Sequence, residues 1–185
     1  MESITFREPT EGDVAEIEEL VTAHFSEGSS YTVDPGVGDP TYHVRIAESE
    51  SGILGVMAVD VFDDPAAVVD EMYFFDDPDL LPVADRYGLL EMGYVRPDAT
   101  GQGIGSRLLE RVESIGASHD VDCFLADSWY HGGADSPERL FHGHGYETIH
   151  RDPFDRPVEE CPKCADNCVC AAGLAVRRVM CARRS

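Results

Sequence analysis

The sequence predicts a single α/β domain over residues 1–185, on three observations. The chain has 185 residues and 43% hydrophobic side chains, enough to fill one ordinary core. Strand-like and helix-like stretches alternate along its length. The segment Leu89–Val112, LLEMGYVRPDATGQGIGSRLLERV, reads as a strand, a glycine-rich turn and an amphipathic helix in direct succession.

Composition narrows the setting. No run approaches the ~20 apolar residues of a membrane span, and MESITFREPTEGD lacks the basic-then-apolar order of a signal peptide. A cytoplasmic protein is expected. The net charge is −22, from 36 acidic and 14 basic residues, and Lys163 is the only lysine. Such a surface repels nucleic acid and anionic membranes, so neither is expected as a partner. Acid spread along the whole chain fits high-salt adaptation better than steering of a cationic substrate, and the composition resembles that of halophilic archaeal proteins.

Taken in order, residues 4–9 form a first strand. Thr10 is a helix N-cap, with Glu11 and Asp13 in the first turn. Val14, Ile17, Leu20, Val21 and Phe25 make one apolar face of a helix ending near His24, which is assigned no role. Residues 26–41 are turn chemistry. His43–Ala47 and Ile53–Phe62, joined by a polar turn, read as a hairpin. Residues 63–87 form an acidic insertion with three prolines, whose Val68, Val69, Met72, Tyr73 and Phe74 require burial in a short helix or an extra strand. The insertion is a lid, the surface of a homodimer, or a cover for a sheet edge.

The central unit follows. Leu89, Leu90, Met92, Tyr94 and Val95 suit a buried strand, and Pro97 ends it. Ile104, Leu108, Leu109, Val112 and Ile115 recur at helical spacing, so a helix starts near Gln102 or Gly103 and runs to about Gly116. Its first amides lack intrahelical partners, and glycines there let an anion reach the backbone. A turn that merely packs helix on strand is the plainer alternative. The flanking elements favour a phosphate-bearing ligand. There is no Gly-Lys-Ser/Thr, and Ser106 breaks the dinucleotide GxGxxG spacing.

Asp122–Asp127 reads as a buried strand, with Cys123 a small core residue. Ser136 and Pro137 start a short helix that ends at Gly145, and Tyr146–Arg151 returns as a strand. His142, His144 and His150 lie too irregularly to favour a metal cluster. Residues 161–170, CPKCADNCVC, place Cys161, Cys164, Cys168 and Cys170 as C-x2-C-x3-C-x-C, which suits one tetrahedral structural Zn2+. Disulfides are disfavoured in a cytoplasmic chain, and the spacing does not match the ferredoxin run. Glu147–Arg151 and Ala175–Val179 flank the module as two strands, placing a zinc loop over 152–172 at a hairpin tip. Cys181 is a spare thiol or a replacement ligand, and docking of a partner is the functional alternative for the tip.

Two motifs resemble those of the GNAT superfamily of acyl-CoA-dependent N-acetyltransferases. Val95-Arg96-Pro97 followed by Thr100-Gly101-Gln102-Gly103-Ile104-Gly105 resembles motif A, V-x-P then Q/R-x-x-G-x-G/A, with Thr100 where Arg or Gln is usual. Leu140-Phe141-His142-Gly143-His144-Gly145-Tyr146-Glu147 resembles L-Y-x-x-x-G-F-E, with Phe141 in place of the tyrosine. A first strand and a helix opening in T-x-x-D also resemble the start of such domains. The resemblance implies a three-layer fold with a mixed, mostly antiparallel sheet flanked by helices. It implies acetyl-CoA as cosubstrate, held by Val95, Thr100, Gly101, Gln102, Gly103, Ile104, Gly105 and Ser106. The acceptor it implies is a primary amine of a small molecule or peptide. The family's strand carboxylate corresponds to Glu91, a candidate base, which otherwise faces solvent or pairs with an arginine. With Phe141 unable to donate a proton, Tyr146 is the candidate acid, beside His142 and His144, or the thiolate leaves unassisted. Tyr31 and Tyr42 line the acceptor pocket or pack the loop. The competing class is a non-catalytic CoA-sensing or zinc-hairpin interaction module. No GxSxG or Ser/His/Asp arrangement supports a hydrolase.

Overall fold

The computed structural model describes residues 3–25, 36, 38–161, 163, 164 and 166–179, without the side chains of 23–25. Tyr31, Cys181 and the side chains of His24 and Phe25 lie outside the described residues. Strands are β1 (Thr5–Arg7), β2 (Tyr42–Ser49), β3 (Gly52–Phe62), β4 (Tyr87–Val95), β5 (Cys123–Tyr130), β6 (Glu147–Pro153) and β7 (Ala171–Arg178). Helices are α1 (Val14–Phe25), α2 (Pro65–Glu71), α3 (Ile104–Ser118) and α4 (Pro137–Gly143). The strands form a mixed, mostly antiparallel sheet in the order β1-β2-β3-β4-β5-β7-β6, flanked by helices. The chain groups into two compact units, Met1–Val61 with Leu90–Asp120 and Phe62–Leu89 with Val121–Ser185. Among the described residues, no helix is long and apolar enough to cross a membrane.

The first unit is built on the β2–β3 hairpin, antiparallel with Ile46 opposite Val56. Val44, Ile46, Ala47 and Ser49 of β2 are buried, the alternation shifting at the irregularity between Ala47 and Glu48, whereas β3 is buried continuously from Ile53 to Val59. Ile17, Leu20 and Val21 of α1 close over Val44, Ile46, Ile53, Val56 and Ala58. Thr10 is the N-cap, as expected, with Glu11 and Asp13 in the first turn. A 3-10 turn, Glu11–Asp13, precedes the helix, and the Asp13 carboxylate accepts from the Thr10 amide (2.6 Å) and hydroxyl (2.8 Å). Arg7 ties Asp13 (2.8 Å) to Glu48 (2.7 Å), and this forked pairing holds the Asp13 carboxyl far below the usual carboxylate range.

The second unit holds β5, β7 and β6, paired antiparallel, with Leu125 opposite Val176 and Thr148 opposite Ala175. Both strands of the expected terminal hairpin are present, β7 starting four residues earlier than the sequence suggested. Residues 63–87 supply a short helix rather than an extra strand. Asp64 caps α2 by accepting from the Ala66 amide (3.0 Å), with Pro65 in the first turn. Val68 and Val69 enter a core with Phe75, Leu81, Tyr87, Leu89, Cys123, Leu125 and Leu174. Tyr73, expected to be buried, is 81% exposed, because the segment turns at Met72 and only its neighbours face inward. Ser136 also departs from expectation: its hydroxyl accepts from the His131 amide (3.1 Å) and makes no cap bond.

Candidate functional site

β4 ends where the Arg96 amide donates to the Leu54 carbonyl (2.8 Å), and Pro97–Ala99 form a 3-10 turn. Thr100 is spent within this turn, its hydroxyl donating to the Pro97 carbonyl (2.8 Å). Gly101 and Gly103 then adopt φ of +76° and +75°, and Gly103 is the N-cap of α3. Nothing lies within 4 Å of where a Cβ on either would stand. This opening fronts the first amides of a 15-residue helix, which have no intrahelical partners and sit at the positive end of its dipole. Ile104, Leu108, Leu109 and Val112 anchor the helix by full burial. Behind the opening the packing is tight: a Cβ on Gly55 would stand 2.8 Å from the Tyr94 carbonyl and 3.3 Å from Leu108.

β4 is irregular where chemistry was expected. Met92 has φ +50°, a conformation non-glycine residues rarely adopt. Glu91 directly precedes it, half-buried, and its Oε2 accepts from the Tyr42 hydroxyl (3.2 Å). Two residues singled out separately in the sequence are thus in contact.

In the second unit, Phe141 and Tyr146 are 6% and 3% exposed, with ring centroids 5.3 Å apart. His142 shares a hydrogen bond with Thr148 (2.9 Å), while His150 stacks edge-on against Phe75 (5.2 Å). The histidines do not converge.

Asp127 was missed. Its Oδ2 accepts from the Tyr73 (2.6 Å) and Phe74 (2.8 Å) amides, whereas its Oδ1 is buried with no partner among the described residues. Burial pushes its carboxyl up to about 6, against the lowering by those two amides. The available signal was alternation: Asp127 continues the face on which Cys123 and Leu125 enter the core.

Cys161, Cys164, Cys168 and Cys170 come together, their sulfurs all within 4.8 Å of one another. Cys170 Sγ lies 3.6 Å from both Cys161 and Cys164. Zn–S bonds of about 2.3 Å in a tetrahedron place sulfurs roughly 3.8 Å apart, so the donor set fits the ion. The Lys163 amide draws the Cys161 thiol pKa down, while burial pushes that of Cys170 up. The Trp129 indole N–H is turned toward Cys170 and favours its thiolate, yet does not reach hydrogen-bond geometry.

The model of the GNAT acetyltransferase domain matches residues 40–148, while no curated protein sequence matches. The fold is similar to that of yncA from Salmonella typhimurium, a putative acetyltransferase with its cofactor acetyl-CoA. That match has a TM-score of 0.59 and 18% identity over 95% of this chain and 94% of that one. It is similar to Arabidopsis thaliana NAA60 in complex with a bisubstrate analogue, with a TM-score of 0.66 and 10% identity over 96% and 99%. It is also similar to part of N-acetylglutamate synthase from Neisseria gonorrhoeae, complexed with coenzyme A and L-arginine. Here the TM-score is 0.57 with 18% identity, over 96% of this chain but 33% of that one. The domain match covers more than half of the chain, and the fold agrees with it: this protein belongs to the GNAT acetyltransferase family.

Proposed function

We propose that the chain transfers an acetyl group from acetyl-CoA to a primary amine of a small molecule or peptide. The observation that carries this is the pair of open, left-handed glycines, Gly101 and Gly103, before the free amides of α3. Backbone from Thr100 to Ser106 receives the pyrophosphate, and no lysine is needed because the amides and helix dipole supply the positive field. Acetyl-CoA brings an activated acyl carbonyl. The backbone N–H at Val95 donates to the oxygen on which charge develops as the amine attacks. Glu91, held by Tyr42, takes the proton that the amine gives up. Tyr146, close in sequence to Phe141 where the motif has its tyrosine, is the candidate to give a proton to the departing thiolate. One neighbour above was solved with a bisubstrate analogue and another is an N-acetylglutamate synthase, which is in keeping with an amine acceptor.

The four-cysteine site takes one structural Zn2+, closing a loop with little apolar surface of its own. A reducing, cytoplasmic setting keeps its thiols available. Release of free thiol across a panel of amines tests the activity. Glu91→Gln should lower kcat about a hundredfold or more with acetyl-CoA affinity unchanged. Tyr146→Phe should slow turnover if its proton is used. Acetyl-CoA binding without amine-dependent thiol release would replace this reading with a CoA-sensing module.

A further inference from the structure

Arg156 differs from the arginines that pair with carboxylates. Arg7, Arg45, Arg86, Arg96 and Arg151 each form an ion pair with a carboxylate. Arg156 makes none among the described residues, in a chain with 36 acidic side chains. Its guanidinium instead lies over two rings, 5.1 Å from the centroid of Trp129 and 4.8 Å from that of Phe154. Those rings meet edge to face at 5.9 Å, and Phe74 backs Phe154 at 5.6 Å. Aromatic faces fix the plane of a guanidinium and leave its N–H edge directed outward, the geometry that forks a carboxylate.

The platform is held from two sides. The Phe154 amide donates to the Cys170 carbonyl (3.0 Å), and Trp129 stands opposite Ala172, two residues beyond Cys170, in the β5–β7 register. On the other side, Asp127 clamps the Tyr73–Phe74 backbone. The cysteine loop therefore has a second consequence beyond closing itself: it sets the two rings that carry Arg156.

We propose that Arg156, on Trp129 and Phe154, is a receptor for a carboxylate. The carboxylate site does not rest on the acetyl-transfer reading. A monoanion suits it better than a phosphate dianion, since one guanidinium supplies the charge and Asp155, Glu159 and Glu160 flank it in sequence. The ligand is a free amino acid or the C-terminus of a peptide.

Trp129 is the only tryptophan, so its fluorescence reports this platform directly. The protein is titrated with each of the twenty amino acids. Responders are then compared with their decarboxylated amines and with tripeptides ending in the same residue. The expected result is a saturable change with the carboxylate present, and affinity at least tenfold weaker without it. Arg156→Gln should lose the response, and Arg156→Lys, which keeps the charge but not the fork, should retain part of it. Response to free amino acids alone, or to tripeptides alone, identifies the source. The proposal is overturned if no carboxylate gives a saturable change. Equal binding of the decarboxylated amine, or native-like binding by Arg156→Gln, also overturns it. Thiol release, measured separately, can fail without touching these outcomes, and its failure would remove the acetyl-transfer reading alone.

Discussion

The glycine cradle and the Trp129–cysteine platform are assembled in opposite ways. The cradle is one continuous piece of chain: strand end, turn, two left-handed glycines and a helix start, all within residues 95–106. The platform draws on four separated stretches, namely Tyr73–Phe75 beyond α2, the end of β5, the 150–156 segment and the cysteine loop. A locally built site is open where it acts and needs only backbone conformation. A site built from long-range contacts depends on packing, and its side chains are buried or stacked. Perturbing the two regions should therefore fail them differently.

The largest expected effect is in the platform. Cys170→Ser, or chelation of the native protein, should release zinc and lower the melting temperature by roughly 10 °C or more, because metal binding in such loops is folding energy. Metal analysis and thermal denaturation check this. An unchanged melting temperature, with no stoichiometric zinc, would remove the metal from the account.

A matched glycine-to-alanine pair sharpens the contrast. A Cβ on Gly173 would stand 2.2 Å from the Tyr130 ring, so Gly173→Ala should cost about 1–3 kcal/mol by forcing that ring aside. Gly101→Ala meets open space and pays only for its positive φ, about 1 kcal/mol. Equal losses in thermal unfolding would show that the two regions do not differ in packing as described.

The smallest effect is pH-dependent. Asp127 has its folded pKa raised to about 6 from 3.8, so the native state holds this proton more tightly than the unfolded chain. Its contribution is fully present below about pH 4 and is lost as pH rises through 6. Asp127→Asn removes the charge and keeps a carbonyl oxygen to accept from the Tyr73 and Phe74 amides. It should flatten this part of the stability profile and be stabilising at pH 7, by on the order of 1–2 kcal/mol. A profile between pH 4 and 7 identical to that of the native protein would contradict the burial argument.

The same contrast explains what could be read from the sequence. Gly101, Gly103, Pro97 and the spacing of Ile104, Leu108 and Val112 encode their local geometry, so the cradle and α3 were legible. The four cysteines were legible for the same reason, lying within ten residues. Asp127 and Arg156 were not. Asp127 bonds amides 53 and 54 positions away, and Arg156 gains its rings only once β5 and the 154–156 segment are brought together. Tyr73 was misplaced because hydrophobic character alone does not say which side of a turn faces the core. Phe141 and Thr100 stand where the family motifs have other residues, and only the fold shows Thr100 engaged in closing its own turn.

The central claim is that acetyl-CoA is held on the backbone at the start of α3. Calorimetric titration of acetyl-CoA into the native protein and into Gly103→Val tests it most directly. Valine at φ +75° is strained, and its side chain fills the space a phosphate would take. The account predicts one saturable site in the native protein and affinity reduced at least tenfold in a Gly103→Val protein that still unfolds cooperatively. Equal affinity in the two proteins, or no binding by the native protein at near-millimolar acetyl-CoA, would contradict it.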